Sequence, residues 1–192
     1  MGLNNIIYAD PPWTYADKAQ SGNRGAGFKY DLMTIDDIKA LPVQRIAHPD
    51  CALFMWVTMP LLQEGLDTIK AWGFDYATCA FVWVKTNKNA HTDFMGMGNW
   101  TRSNAEICLL GTQGGIKRIN KGIRQIIADP YPECITAPHT GHSVKPAIVR
   151  HRIVNLLGDL PRVELFARQN YPGWSAWGNE CDITDGLDEW HK

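Results

Sequence analysis

Several features are scarce in this chain, and each scarcity removes a class of protein. None of the five cysteines (Cys51, Cys79, Cys108, Cys134, Cys181) stands in a C-x-x-C pair, which argues against a disulfide framework or a structural zinc site. Cys51, Cys79 and Cys108 lie in apolar runs, where a thiol in a reducing compartment acts as a small buried hydrophobe. There is no apolar run of membrane-spanning length and no signal peptide, so a soluble, cytoplasmic protein is expected. Charge of one sign is missing too: 19 Lys and Arg against 20 Asp and Glu leave a formal net charge of −1. A polyanion would therefore have to be held by a local patch. Two loop histidines, His139 and His142, are too few for a metal site, and no metal is expected.

What is present is an alternation of strand-like and helical runs. Ile6 to Ala9, Cys51 to Val57, Thr78 to Val84, Glu106 to Leu110 and Val163 to Ala167 are short and apolar, as strands buried on both faces are. Leu62, Leu66 and Ile69 repeat at helical spacing and Gly73 follows as a stop, completing a strand–helix–strand unit. A further helix opens at Pro146 and carries Ile148, Val149, Ile153, Leu156 and Leu157 to Gly158. Thr34 to Ile38 reads as a short capped helix. The pattern predicts one α/β domain over residues 1–192 with a mainly parallel sheet. Three stretches, at 15–30, 86–99 and 129–144, carry no apolar periodicity and read as long loops.

The first strand ends in Asp10-Pro11-Pro12-Trp13. Ligands of open α/β sheets bind outside the carboxyl ends of strands. Each proline fixes φ and lacks an N–H, which holds the Asp10 carboxylate and the Pro11 carbonyl at a set separation. Two acceptors and a flat ring suit an amino group on a planar base. Gripping both N–H bonds frees the nitrogen lone pair for attack, and the grip tightens as positive charge grows there. The same residues also make an ordinary strand-ending turn. A second constellation follows Val163: Glu164, Phe166, Arg168 and Asn170, then Trp177-Gly178-Asn179-Glu180. Acid, cation and amide together could grip a ribose and an amino-acid head group, with Lys145 available to a carboxylate; a surface ion pair is the alternative.

Taken together, these motifs resemble the adenine amino-methyltransferases typified by the catalytic subunit of the eukaryotic mRNA adenosine methyltransferase. The likeness runs through ADPPW, LFMWVT from Leu53, WGFDY from Trp72, VWVKTN from Val82 and AEICLLG from Ala105. It continues through Val144-Lys145-Pro146 and ELFAR to WGNE, all in family order. The resemblance implies a Rossmann-like, S-adenosylmethionine-dependent methyltransferase fold in permuted order, with the catalytic motif before the cofactor motif. It implies that Asp10, Pro11, Pro12 and Trp13 hold the target adenine and that Lys145 meets the methionine end of S-adenosylmethionine. Glu164, Arg168 and Asn170 would then lie around the ribose, Phe166 would be a further cofactor-binding residue, and Asn179 and Glu180 would lie near the adenosine end. Two departures stand out. Nine residues precede Asp10, where better-known relatives carry a stretch that helps close the adenine pocket. Asn170 and Tyr171 replace the histidine and asparagine that follow the family's arginine.

Between Phe94 and Ala128 the one acid is Glu106, against Arg102, Lys117, Arg118, Lys121 and Arg124. Such a segment suits phosphate contact or a solvated face. With Lys85 these residues are the expected nucleic-acid contacts, and Tyr15, Tyr30 and Trp100 are candidates for base stacking. An adenine inside a duplex must be flipped out to reach Asp10, or the substrate must be single-stranded. Compact relatives of this kind resemble bacterial and phage DNA modifiers, and no residue pattern reads a 2′-hydroxyl, so DNA is expected before RNA. No separate target-recognition domain is expected; a homo- or hetero-dimer partner could read the sequence instead. The competing readings are an RNA adenine methyltransferase and a silent nucleic-acid-binding subunit. The intact Asp10-Pro11-Pro12-Trp13 argues against the silent subunit. Asp10 and Trp13 argue against glutamine or cytosine targets, whose enzymes carry Asn-Pro-Pro-Tyr or Ser-Pro-Pro-Tyr.

Overall fold

The computed structural model describes residues 2–13, 33–85, 95, 98, 100–128 and 145–191. Tyr15, Tyr30, His139 and His142 lie outside the described residues. The strands are β1 (Asn4–Ala9), β2 (Ala47–Val57), β3 (Asp75–Val84), β4 (Ala105–Gln113), β5 (Ile126–Ala128), β6 (Arg162–Leu165) and β7 (Ser175–Trp177). The α-helices are α1 (Ile35–Ala40), α2 (Leu62–Ala71) and α3 (Ile148–Leu157). All seven strands form one sheet in the order β5-β3-β4-β2-β1-β6-β7. Parallel pairing joins β1 to β2 and β6, β6 to β7, and β3 to β5, whereas β4 pairs antiparallel with both β2 and β3. Six strands therefore run one way and β4 alone is reversed, which is a mainly parallel, Rossmann-like methyltransferase fold.

Period-two alternation splits the sheet's side chains between two cores. Ile7, Ala9, Leu53, Met55 and Val57 face α1 and α2 with Ile38, Ile69 and Trp72. Ile6, Tyr8, Phe54, Trp56 and Phe81 face α3 with Ile148, Val149 and Ile153. The Thr34 hydroxyl caps α1 by accepting the Asp37 N–H at 3.1 Å, and Asp36 and Asp37 sit in the first turn, where the helix dipole favours acids. The Trp72 indole N–H donates to the Ile38 carbonyl at 2.8 Å and so ties α2 to α1.

Some expectations are corrected. Residues 75–78 of β3 are exposed, because its outer neighbour β5 pairs only with Val82, Trp83 and Val84. Leu62 is likewise exposed, at the start of α2. β6 stops at Leu165, because Phe166 takes φ 61 and leaves the strand conformation. The strand–helix–strand unit β2–α2–β3 forms, but β4 inserts between its two strands. Trp13, Trp56, Trp72, Trp83, Trp174 and Trp190 are buried, while Trp100 is 99% exposed. Cys51, Cys79, Cys108 and Cys181 are free. Among the described residues no helix is long and apolar enough to cross a membrane, and no cluster of potential metal ligands occurs.

Candidate active site

β1 and β6 lie side by side, with Ala9 opposite Leu165. The chain leaves β1 toward β2 and leaves β6 toward β7, so the strand order reverses between them. A crevice outside the carboxyl ends of two such strands is the ligand site of open α/β sheets. Asp10 stands at that point, its N–H 3.5 Å from the Leu165 carbonyl. The Pro11 carbonyl accepts the Trp13 N–H at 2.8 Å, a tight turn about Pro12 that uses one of the two lone pairs of that oxygen. Trp13 is buried and donates its indole N–H to the Trp56 carbonyl at 2.9 Å, so its first structural task is to lock the loop onto β2.

Lys145 enters just before α3. Its Nζ is 2.9 Å from both carboxylate oxygens of Asp10 and 3.2 Å from Oε2 of Glu106, and it lies 5.7 Å from the Trp56 ring centre. Lys85 closes the array by pairing with the other oxygen of Glu106 while resting 4.9 Å over Trp83. Burial pushes the Asp10 carboxyl up, more than the neighbouring Lys145 ammonium pulls it down. For Glu106 burial acts the same way, but Lys145 and Lys85 together outweigh it and hold the acid below its usual range. Burial opposes the charge of Lys145, yet Asp10 and Glu106 overcome it and raise its pKa.

Sequence reasoning passed over Glu106. β4 is the reversed strand, so its first residues lie at the edge where the parallel strands end, and Glu106 meets Asp10 there. Its signal was present as the lone acid of a basic segment, but the direction of an apolar strand is not written in its composition.

The cofactor-side residues gather at the ends of β6 and β7. Phe166 holds its left-handed φ of 61 and packs edge-on against Trp177 at 5.3 Å. A bulky residue in that region is strained backbone, which collects at ligand sites. Gly178 has no room for a side chain, since a Cβ there would lie 2.1 Å from the Ala167 carbonyl oxygen. That close approach leads the chain through Asn179 to Glu180, which lies 4.0 Å from Nε of Arg168.

Two expected ribose contacts have other partners. Glu164 is buried on the α3 face, where Arg150 Nε donates to it at 2.6 Å and Nη2 to its second oxygen. The Arg150 guanidinium lies 3.6 Å from the Tyr171 ring centre. Asn170 donates to the Asp182 carbonyl at 2.8 Å and accepts the Asp182 N–H at 3.0 Å, a clamp on the following loop.

The expected nucleic-acid contacts divide between the two edges of the sheet. Lys85 joins the site, and exposed Arg102 and Trp100 precede β4 at the same edge, where the Lys85 N–H bonds the Asn104 carbonyl at 2.7 Å. Lys117 and Arg118 follow the far end of β4, where the Gly115 N–H bonds Asp50 and Ile119 bonds the Leu156 carbonyl near the end of α3. The rise from Glu106 to Gln113 at about 3.4 Å per residue puts that edge ~24 Å from the site. Lys121 belongs to the same exposed loop, and the Arg124 carbonyl is held part-way back by Arg152 at 2.9 Å.

Known proteins resemble this chain over most of its length. The MT-A70 family model matches residues 4–180. The type II methyltransferase M.MunI of Mycoplasma sp is 36% identical over 194 residues, covering 91% of this chain and 76% of that protein. The human N(6)-adenosine-methyltransferase catalytic subunit METTL3 is 28% identical across 98% of this chain but 30% of its own length. The human N(6)-adenine-specific methyltransferase METTL4 is 26% identical over 92% of the chain and 37% of its length. The chain thus spans about three quarters of the first relative and little more than a third, at most, of the other two. It belongs to the MT-A70 family of methyltransferases.

Proposed function

We propose that this protein transfers a methyl group from S-adenosylmethionine to the exocyclic 6-amino group of adenine in DNA. The observation that carries the reading is Asp10, a carboxylate set beside the Pro11 carbonyl at the point where strand order reverses. S-adenosylmethionine, when bound, supplies a methyl carbon made electrophilic by its sulfonium. The chain's residues fit such a donor. Lys145 can meet its carboxylate, while Arg168 and Glu180 are brought together, with Asn179 next in the chain, beside the close approach of Gly178 to Ala167. Asp10 and the second lone pair of the Pro11 oxygen accept the two amino N–H bonds, which opposes delocalisation of the nitrogen lone pair into the ring. As the nitrogen gains positive charge both contacts strengthen, so the site binds the transition state better than the ground state. Asp10, with its raised pKa, can then take the proton that the methylated amine releases.

DNA is favoured because the type II enzyme is more alike, at 36% identity, than the relatives named for adenosine, at 28%. Lys85, Arg102 and the exposed Trp100 at the edge of the site suit a flipped-out or single-stranded base and its phosphates. The reading places the methyltransferase in the cytoplasm, with a sequence preference that is short or supplied by a partner subunit. A silent binding subunit has no use for the intact tetrapeptide.

The test is tritiated methyl transfer from S-adenosylmethionine to single-stranded DNA, duplex DNA and RNA, followed by nucleoside analysis. N6-methyladenine is expected in DNA, and Asp10→Asn should lower kcat by at least about a hundredfold with donor binding retained. Wild-type-like turnover by Asp10→Asn refutes the mechanism, and label confined to RNA refutes the choice of polymer.

A further inference from the structure

We propose that Glu106 is a positioning residue for methyl transfer: anchored by Lys85, it shares the Lys145 ammonium with Asp10 and so leaves Asp10 with negative charge to offer the amine. The inference rests on the methyltransferase reading above and concerns a residue that the catalytic tetrapeptide does not include.

A charge tally motivates it. A cation 2.9 Å from both oxygens of Asp10 would by itself cancel the carboxylate on which the reaction depends. The amine becomes positive as it is methylated, and a neutral Asp10–Lys145 pair would give that charge little to work against. Glu106, 3.2 Å from the same ammonium, changes the sum. Asp10, Glu106 and Lys145 together carry one net negative charge, which Lys85 balances only from the far, solvent side of Glu106; the side chains of Lys145 and Glu106 are 7% and 12% exposed, so water screens the charges nearest Asp10 weakly. Lys85, 30% exposed, holds the second oxygen of Glu106 from the solvent side and fixes its direction. The reversed direction of β4 is what makes this arrangement available, because a parallel strand would carry its first residues to the opposite edge.

The groups that act on Asp10 come from every element around it. Lys145 precedes α3, Glu106 belongs to β4 and Arg168 follows β6; Asp10 in turn raises the pKa of buried Cys108 on β4 and of Glu164 on β6. Glu106 and Lys85 lie outside the tetrapeptide, pair with each other and carry opposite charge, so each can be neutralised in turn. Removing the negative charge of Glu106 makes Asp10 easier to ionise. Removing the positive charge of Lys85 makes it harder.

The experiment compares wild type, Glu106→Gln, Glu106→Asp and Lys85→Met in tritiated methyl transfer to adenine-containing DNA. kcat, both KM values and the pH dependence of kcat/KM are measured, with the thermal midpoint recorded for each variant. Glu106→Gln is expected to lower kcat roughly tenfold to a hundredfold, at or below the loss for a group that touches the transition state. Its acid limb should move to lower pH, Glu106→Asp should recover part of kcat, and the acid limb of Lys85→Met should move to higher pH. A merely structural role cannot shift the limb in opposite directions in two variants. The proposal is overturned if Glu106→Gln keeps wild-type kcat, or if the limbs of Glu106→Gln and Lys85→Met stay fixed or move together. If Glu106→Gln does not fold, Glu106→Asp and Lys85→Met carry the same test: an unmoved limb in Lys85→Met overturns it. A wild-type protein that transfers no methyl group to adenine defeats the underlying reading instead, and the two failures are told apart by that control.

Discussion

Arg150→Met should destabilise the protein in a way that depends on pH. Arg150 and Glu164 are 8% and 6% exposed and meet through two contacts, with Tyr171 stacked 3.6 Å from the guanidinium. Removing the cation strands a buried carboxylate beside its cross-strand neighbour Tyr8, and breaking one half of a buried pair costs about 3–5 kcal/mol. At about 2–4 °C per kcal/mol for a domain of this size, the thermal midpoint should fall by roughly 10 °C. Burial already pushes the Glu164 carboxyl up against the pull of Arg150, and losing that pull moves it further up. A carboxyl whose folded-state pKa lies above its unfolded value loses stability as pH rises through the folded value, so the penalty should grow from pH 5 to pH 8. Adding Glu164→Leu to the variant should restore most of the loss and remove its pH dependence. Urea denaturation of the wild type, Arg150→Met, Glu164→Leu and the double variant at pH 5 and pH 8 gives the full cycle. A penalty below about 1 kcal/mol that does not change with pH refutes the argument and returns Glu164 to the role of ribose ligand.

Two further perturbations probe the cofactor side and the basic loop. Gly178→Ala puts a Cβ 2.1 Å from the Ala167 carbonyl, where backbone must yield, so S-adenosylmethionine binding by calorimetry should weaken at least about tenfold through displacement of Asn179 and Glu180; unchanged affinity means that loop does not touch the donor. Lys117→Ala with Arg118→Ala should raise KM for long DNA and flatten its salt dependence, but not for a duplex shorter than about 7 base pairs, which cannot span the ~24 Å between the edges. An equal rise for both lengths refutes the separation.

Much of this site was legible in the sequence, for identifiable reasons. Asp10-Pro11-Pro12-Trp13 follows a strand whose apolar run is unbroken, and two imino acids leave the backbone few alternatives, so local chemistry and global position coincide. α1, α2 and α3 carried caps, stops and periodicity. What stayed hidden depends on contacts between distant segments. β5 and β7 are three residues each, too short to show a period, and form because β3 and β6 offer free edges. Glu164 and Arg150 pair across 14 residues because α3 packs back over β6. Phe166 ends its strand one residue after Leu165 through a φ that its side chain would not suggest.

Strand direction is the most consequential of these hidden facts. Ala105–Gln113 reads the same forwards and backwards as an apolar strand, yet its sense decides which of two surfaces receives Glu106 and which receives Lys117 and Arg118. With β4 reversed, the acid goes to Asp10 and Lys145 and the cations leave for the opposite edge. A parallel β4 would have crowded Lys117 and Arg118 against Lys145, adding positive charge where an amine must become positive. In the proposed reaction, a basic segment with one acid at its start, threaded against the grain of the sheet, would serve two needs that otherwise conflict: cations for phosphates and an acid beside the reacting nitrogen.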